Sequence, residues 1–162
     1  MFYIFTKKSA SSLFKKLKNL NKKIVFAESC TAGLLSAALS DIPGSSSVLW
    51  GSFVTYTLES KQKMLNVPNN LLEKYGAVSC ETACIMAENA LANSGADIAV
   101  SVTGLAGPGG DGSENSVGTV WIACARNEEE TIAAKHYFKG NRQTIRKKAV
   151  DKALKIALNC IT

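Results

Sequence analysis

The residues of this chain best suited to chemistry lie where a short apolar segment breaks into small polar residues. Residues 23–26 read as a buried strand, and Glu28, Ser29, Cys30 and Thr31 follow shortly after it. If the chain restarts as a helix over residues 32–40, a hydroxyl, a thiol and several backbone N–H groups meet at one helix N-terminus, where negative charge is favoured. The segment therefore suits a nucleophile or a bound phosphate, and its own residues do not decide between them.

A serine nucleophile needs a base that takes its proton. The sole histidine, His136, lies in a predicted strand with alternating neighbours, which favours a structural role. Lys61 follows the strand predicted over residues 47–56, and Tyr56 leaves that strand near the same sheet edge. A lysine acts as a base when burial lowers its pKa. The competing interpretation is an ordinary lysine on a solvated helix face.

A glycine-rich segment follows the apolar strand predicted over residues 97–102. Residues 107–112 match the pattern G-x-G-x-x-G, but they lead into another strand, whereas a dinucleotide fingerprint opens a helix. The sequence also lacks the glycine-lysine motif of phosphate-loop ATPases. The glycines permit a tight loop whose backbone approaches a ligand closely. A plain connector is an equally good interpretation of the same residues.

Length and composition indicate a single soluble globular domain over residues 1–162. The chain has 162 residues, of which 46% are hydrophobic and 20% charged. The apolar start, residues 1–5, is too short for a signal peptide or a membrane span, so we expect a cytoplasmic protein that does not enter a membrane. Five cysteines, an odd number, indicate reduced thiols. Cys80 and Cys84 share a predicted helix face, but a metal needs more ligands, so no metal site is predicted.

The net charge of +6 arises from basic residues concentrated near the two ends of the chain. Both groups lie on amphipathic helix patterns, where a solvated helix face is the usual explanation. A nucleic-acid surface is the alternative. No interleaved aromatic residues and no helix-turn-helix signature support it, so a nucleic-acid partner is the less favoured interpretation.

Helices and strands alternate along the predicted pattern, which indicates a three-layer α/β/α sandwich. A short polar turn at residues 126–129 makes the last two strands antiparallel, so the sheet of about five strands is mixed and mostly parallel. Helices are predicted over residues 9–21, 32–40, 59–65, 69–75, 80–94 and 142–160, and strands over residues 23–26, 47–56, 97–102, 117–126 and 130–138.

Several motifs together resemble the C-terminal domain family of the competence/damage-inducible CinA proteins, whose stand-alone members are nicotinamide-nucleotide amidases. The resemblance extends from about Leu13 to Leu158. The motifs that carry it, in order, are residues 27–33, 54–56 with Lys61, 65–68, 75–79, 102–110, 117–120, 138–142 and 145–146.

This resemblance implies deamidation of nicotinamide mononucleotide to nicotinate mononucleotide and ammonia, without a cofactor. It implies that Ser29 is the nucleophile that forms an acyl-enzyme and that Lys61 is its general base. Tyr56 and Thr103 would orient these groups or the amide. The partner expected is therefore a small pyridine nucleotide. Because family members often associate, a homodimer or larger symmetric assembly is also expected.

The resemblance further implies a set of substrate-binding positions. Backbone N–H groups are candidates to hold the oxyanion of the reaction, and they belong to Cys30, Thr31, Ala32, Gly33 and Gly104. An arginine fork suits a phosphate, so the candidates for the ribose and phosphate are Gly107, Gly109, Gly110 and Arg142.

The chain departs from the usual family pattern at four positions near these motifs. Ala32 replaces the first glycine of Ser-Cys-Thr-Gly-Gly, and Leu58 replaces an asparagine. Asp111 replaces a glycine and Asn115 a lysine, so the loop is less cationic and is expected to bind a phosphorylated substrate more weakly. The departures at Ala32 and Asp111 keep a non-catalytic nucleotide-binding module open as an alternative. The basic helices keep open a second alternative, a protein that interacts with nucleic acid.

Cys30 competes with Ser29 for the role of nucleophile. A thiol at a helix N-terminus is reactive when its pKa is depressed. Adjacent side chains point in different directions, so only one of the two faces Lys61. We expect that residue to be Ser29, following the family resemblance.

Overall fold

The computed structural model describes residues 3–161 of the chain. Strands and helices alternate through most of this length, as the hydrophobic pattern predicts. The elements are α1 (Tyr3–Asn19), β1 (Ile24–Glu28), α2 (Leu34–Ser40), a 3₁₀ turn (Ser45–Ser47), β2 (Leu49–Val54), α3 (Leu58–Leu65), α4 (Asn69–Tyr75), α5 (Cys80–Ser94), β3 (Ile98–Gly104), β4 (Thr119–Arg126), β5 (Ile132–Tyr137) and α6 (Arg142–Cys160).

The five strands form one mixed sheet in the order β2-β1-β3-β4-β5. Strand β1 pairs in parallel with both β2 and β3, whereas β4 is antiparallel to β3 and to β5. Four strands therefore run in one direction and β4 alone runs against them. The predicted fold class, an α/β protein with a mixed and mostly parallel sheet, is confirmed.

Alternate residues of the central strands face two separate hydrophobic clusters. In β1, Ile24 and Phe26 pack with α1, α2 and α6, whereas Val25 and Ala27 pack with α3, α4 and α5. This alternation follows from the two-residue period of a strand. Because β1 is buried along its whole length, each of its large side chains contributes roughly 2 kcal/mol by leaving water.

Two helix starts differ from the prediction by two residues or more. The helix predicted from residue 9 begins at Tyr3, and Ser9 lies inside it, where its hydroxyl donates to the Asp151 carboxylate of α6 at 2.7 Å. The helix predicted from Ala32 begins instead at Leu34, because Ala32 has a left-handed backbone with φ 49°.

The helices α5 and α6 agree with the prediction at both ends. Ser79 caps α5 by accepting the Thr82 N–H, and Gly95 ends it in a left-handed conformation. Asn141 caps α6 through the Thr144 N–H. Among the helices of residues 3–161, none is long and apolar enough to cross a membrane.

Candidate active site

The candidate site lies at the carboxyl edge of the parallel strands. Ser29 directly follows β1, and its N–H donates to the Val102 carbonyl of β3 at 2.9 Å. On the other side, the Thr55 N–H after β2 donates to the Glu28 carbonyl at 2.8 Å. The ends of β2, β1 and β3 are therefore in register, which brings residues 29, 55–56 and 103 together at the edge where open α/β sheets bind ligands.

Ser29 and Lys61 are in direct contact at this edge. The Lys61 amine lies 3.0 Å from the Ser29 hydroxyl oxygen and donates to the Thr55 carbonyl at 2.8 Å. Helix α3 presents Lys61 one turn after its N-cap, Thr57, which forms a capping box with Ser60. Lys61 is 1% exposed, so it is not the solvated helix lysine of the competing interpretation.

Burial gives Lys61 the protonation behaviour of a base. Its two partners, the hydroxyl of Ser29 and the carbonyl of Thr55, are both uncharged, so nothing in direct contact compensates the ammonium form. Desolvation therefore lowers the pKa of Lys61 from 10.5 to about 8. A useful fraction of the amine is neutral near physiological pH, and it lies within hydrogen-bonding reach of the Ser29 hydroxyl oxygen.

Cys30 faces the same pocket but lacks the chemistry of a reactive thiol. The side chain is 5% exposed, and burial raises the pKa of the Cys30 thiol to about 12. A thiolate is the reactive form of cysteine, so Cys30 is almost entirely the inert thiol at neutral pH. The nearby start of α2 does not offset the rise in the pKa of Cys30, because the N–H groups there donate to an anion, not to the thiol.

That anion is Glu28, a residue that the sequence reasoning passed over. Its side chain is fully buried beneath the start of α2, and both carboxylate oxygens accept hydrogen bonds at 2.9–3.1 Å. The donors are the N–H groups of Gly33, Leu35 and Ser36 and the hydroxyls of Ser36 and Ser52. An acidic residue at the end of an otherwise apolar strand was the signal available in the sequence.

The position of Glu28 limits which backbone groups remain for a ligand. The N–H of Gly33 donates to Glu28, and the N–H of Ala32 donates to the Ser29 carbonyl at 3.0 Å. Within residues 3–161, the N–H groups of Cys30 and Thr31 have no acceptor on another residue. Of these two donors, that of Cys30 belongs to the residue directly after Ser29.

A pocket of about 550 Å³ opens over Ser29 and Lys61. Nine of the thirteen predicted site residues line it, and four do not. The nine are Ser29, Cys30, Tyr56, Lys61, Thr103, Gly104, Gly107, Gly109 and Arg142. The four outside it are Thr31, Ala32, Gly33 and Gly110.

Arg142 and Tyr56 meet at the rim of this pocket. The Arg142 guanidinium donates to the Gly107 carbonyl at 2.8 Å and to the Tyr56 hydroxyl at 2.6 Å. These bonds tie α6, the glycine-rich loop and the segment after β2 to one another. Deeper in the pocket, the Thr103 hydroxyl donates to the Ala77 carbonyl at 2.6 Å, so its oxygen is held in a fixed orientation.

Two of the departures from the family pattern also line the pocket, namely Leu58 and Asp111. Hydrogen bonds from Ser113 lower the pKa of the Asp111 carboxyl, so this side chain is an anion at neutral pH. Asn115 lies outside the pocket, and its amide donates to the Val78 carbonyl at 3.1 Å. This bond anchors the loop to the segment before α5.

Packing explains why two positions of this region are occupied by glycine. A Cβ on Gly104 would lie 2.6 Å from the Thr119 carbonyl of the neighbouring strand, and one on Gly107 would lie 2.6 Å from Val117. Gly107 also has φ 79°, a left-handed conformation that favours glycine. Close approach of the backbone therefore explains both, whereas a Cβ at Gly109 or Gly110 would meet open space.

The described residues offer no evident metal centre. Among residues 3–161, no group of three or more His, Cys, Asp and Glu side chains lies close enough to hold an ion. Cys80 and Cys84 are half-buried neighbours on α5, as the helical spacing predicts. His136 of β5 stacks on Phe138, which directly follows the strand, and neither residue lines the pocket.

These observations define the class of protein: an α/β protein with a mixed five-stranded sheet and a buried serine–lysine pair at the carboxyl edge of that sheet. The particular family follows from a family model described as CinA C-terminal domain, which matches residues 6–161. The chain belongs to the CinA C-terminal domain family, as the motif resemblance predicted.

Individual proteins support this assignment. A CinA-like protein of Akkermansia muciniphila is 46% identical over 132 residues, 82% of this chain and 32% of the relative. The nicotinamide-nucleotide amidohydrolase PncC of Enterobacter agglomerans is 44% identical over 135 residues, 83% of this chain and 82% of that protein. The crystal structure of the competence/damage inducible protein CihA from Agrobacterium tumefaciens is 40% identical, with a TM-score of 0.91 and 96% of each chain covered.

The relatives differ in length. This chain spans about a third of the CinA-like relatives that it matches. It spans most of the protein named PncC.

Proposed function

We propose that this chain hydrolyses the carboxamide of nicotinamide mononucleotide and releases ammonia and nicotinate mononucleotide. The observation that carries the proposal is the 3.0 Å contact between the Lys61 amine and the Ser29 hydroxyl, buried at the base of an open pocket. Similarity to a protein named nicotinamide-nucleotide amidohydrolase, over most of both chains, supports the choice of substrate.

The reaction begins with a proton transfer from Ser29 to neutral Lys61. The Ser29 oxygen attacks the carboxamide carbon, and the carbonyl oxygen becomes an oxyanion. When this intermediate collapses, the C–N bond breaks, and the Lys61 ammonium gives its proton to the departing nitrogen, which leaves as ammonia. Water, deprotonated by the now neutral Lys61, then attacks the acyl-enzyme and releases the carboxylate product with Ser29 restored.

The oxyanion needs hydrogen-bond donors that are already in place. The Cys30 N–H belongs to the residue directly after the nucleophile and is unpaired within the described part of the chain. We assign it to the oxyanion. The N–H groups of Ala32 and Gly33 are left out of this role because the Ser29 carbonyl and Glu28 already accept them.

The pocket has the size and chemistry for a mononucleotide. Its volume of about 550 Å³ lies within the range of roughly 300–1,000 Å³ that small-ligand sites occupy. Leu58, Leu72 and Leu105 provide apolar lining for a pyridine ring. Arg142 uses part of its donor set on Gly107 and Tyr56, and its other N–H groups suit a phosphate. The charged Asp111 opposes this attraction, so binding of the phosphate is expected to be modest.

The test is an incubation of the purified chain with nicotinamide mononucleotide, with ammonia and nicotinate mononucleotide both quantified. Equal amounts of the two products support the proposal. A matched pair of variants then assigns the activity to this site: Lys61→Met should abolish it, whereas Lys63→Met, an exposed lysine of the same helix, should not. Binding of the mononucleotide without ammonia would contradict the proposal and favour a non-catalytic nucleotide-binding module.

Charge distribution favours a second candidate function, binding of a polyanion such as duplex nucleic acid. Residues 1–23 and 139–162 hold 14 of the 19 Lys and Arg residues but one of the 13 acidic ones. These segments contain α1 and α6, which pack against each other on one face of the sheet.

Binding to a random duplex that weakens steeply with salt would support this second function. Lys8→Glu combined with Lys15→Glu should then weaken binding far more than Lys63→Glu combined with Lys74→Glu, which alters the opposite helix layer. Absence of binding at low salt would exclude it.

A further inference from the structure

The turn that carries the nucleophile is held by a side chain from the other end of the chain. We propose that Arg146 is a positioning residue that fixes residues 29–33, the nucleophile loop, so that the Cys30 N–H faces the reacting carbonyl. The Arg146 Nε donates to the Cys30 carbonyl and its Nη2 to the Thr31 carbonyl, each at 2.9 Å. This inference rests on the proposed function, because it concerns the same site.

Peptide geometry connects Arg146 to the Cys30 N–H through two steps. In a trans peptide the C=O and N–H of one unit point in opposite directions. Because Arg146 holds the Thr31 carbonyl, the Ala32 N–H points the other way and donates to the Ser29 carbonyl at 3.0 Å. The Ser29 carbonyl is thereby directed into the turn, and the Cys30 N–H of the same peptide unit points out of it.

Hydrogen bonds hold both the N–H groups and the carbonyl groups of the nucleophile loop. Glu28 accepts N–H groups at the C-terminal end of the turn, including that of Gly33, and Arg146 donates to carbonyls nearer its start. Helix α6 holds the arginine in a fixed position, because the adjacent Ile145 is buried in the core at 1% exposure. Arg146 does not line the pocket over Ser29, so its effect on the reaction is indirect.

A planar guanidinium suits this task better than an ammonium. Two carbonyls of consecutive residues accept from two N–H groups of one rigid fork, which fixes both peptide planes at once. A lysine at this position would carry the same charge but would present a single flexible donor group. Charge alone is therefore insufficient, and this difference makes the role testable.

The experiment compares Arg146→Ala and Arg146→Lys with Lys148→Ala, which removes an exposed lysine of the same helix. We expect kcat for ammonia release to fall about 100-fold in both Arg146 variants, the usual effect of losing one oxyanion donor, with KM nearly unchanged. Added guanidinium ion should restore activity to Arg146→Ala at least several-fold, and it should leave wild type and Lys148→Ala unimproved.

Other results would overturn the positioning role. These are a kcat within threefold of wild type in Arg146→Lys, an effect confined to KM, or a loss in a folded Arg146→Ala protein that guanidinium does not relieve. Thermal melting shows whether each variant is folded.

A second measurement separates this inference from the proposed substrate. The rate at which a fluorophosphonate labels Ser29 also depends on the oxyanion donor, and it requires no nucleotide. If wild type releases no ammonia but Arg146→Ala still slows labelling about 100-fold, the proposed function fails and the positioning role stands. Equal labelling rates in the two proteins would overturn the positioning role.

Discussion

Glu28 and Ser29 are consecutive residues whose side chains enter opposite faces of the sheet. The Glu28 carboxylate is buried under α2, whereas the Ser29 hydroxyl contacts Lys61 of α3. This follows the alternation of β1, in which Phe26 faces α2 and Ala27 faces α5. The strand therefore separates two tasks: Glu28 satisfies the start of the helix, and Ser29 is presented to the pocket.

The first prediction concerns the stability supplied by Glu28. In Glu28→Gln, an amide NH₂ replaces one of two oxygens that both accept N–H groups, so at least one backbone donor is left facing another donor. We expect the free energy of unfolding to fall by about 2–3 kcal/mol, measured by urea denaturation. Glu59→Gln, at an exposed position, is the control. A change in Glu28→Gln below about 0.5 kcal/mol would contradict this account of the turn.

The second prediction concerns the pH dependence of the reaction. In the proposed mechanism, Lys61 takes a proton from Ser29 only when it is neutral, and burial lowers the pKa of Lys61 to about 8. The value of kcat/KM should therefore rise as pH increases, by about tenfold per pH unit below 8, and level off above it. The measurement is kcat/KM between pH 6 and 10. A rising limb centred near 10.5, the ordinary value for lysine, would show that burial does not lower the pKa of Lys61.

The third prediction is that Lys61 lowers the stability of the fold. Lowering its pKa from 10.5 to about 8 corresponds to a cost of about 3 kcal/mol for the buried ammonium at neutral pH. Lys61→Met removes this cost but leaves the Thr55 carbonyl without its donor, which costs about 1–2 kcal/mol. We expect a net gain of about 1 kcal/mol in unfolding free energy at pH 7, together with complete loss of activity.

The size of this effect depends on pH. Below about pH 8 Lys61 is protonated in both the folded and the unfolded chain, so the penalty is fully present. Between about 8 and 10.5 the folded protein releases the proton first, and wild-type stability rises with pH. The advantage of Lys61→Met should therefore vanish by about pH 10. A variant that is less stable than wild type at pH 7 would contradict the prediction.

The fourth prediction uses two alanines five residues apart. Ala32 is exposed with φ 49°, a left-handed conformation unfavourable for residues with a Cβ. Ala37 is exposed within α2. Ala32→Gly should stabilise the protein by about 0.5–1 kcal/mol, whereas Ala37→Gly should destabilise it by about 1 kcal/mol, both measured by denaturation. Equal effects of the two substitutions would mean that Ala32 is not strained.

Most helices and strands, and the pairing of Ser29 with Lys61, could be predicted from the sequence. Hydrophobic periodicity predicted α5 and α6, and the N-caps that the structure shows, Ser79 and Asn141, act locally. The proximity of Ser29 and Lys61 could be predicted because both residues follow parallel strands, whose carboxyl ends meet at one edge of the sheet. The same reasoning anticipated that burial would be needed to lower the pKa of Lys61.

Other features of the site could not be predicted in this way. Ala32 was expected inside a helix, since its left-handed backbone depends on how the turn is held and not on its own propensity. The sequence alone predicts that the N–H groups at the start of α2 are available to a ligand. In the structure they donate to the Glu28 carboxylate, and this depends on which face of β1 the Glu28 side chain enters. Arg146 lies 116 residues from Cys30, and nothing local to either residue indicates their contact.

The central claim is that Ser29 is the nucleophile and Cys30 is not, and trapping the acyl-enzyme tests it most directly. The chain is mixed with nicotinamide mononucleotide, quenched in acid and digested, and the peptide that carries the acyl group is sequenced by mass spectrometry. We predict an ester on Ser29, no adduct in Ser29→Ala and no ammonia from that variant, with substantial activity kept by Cys30→Ala. A thioester on Cys30, or full activity in Ser29→Ala with loss in Cys30→Ala, would contradict the account.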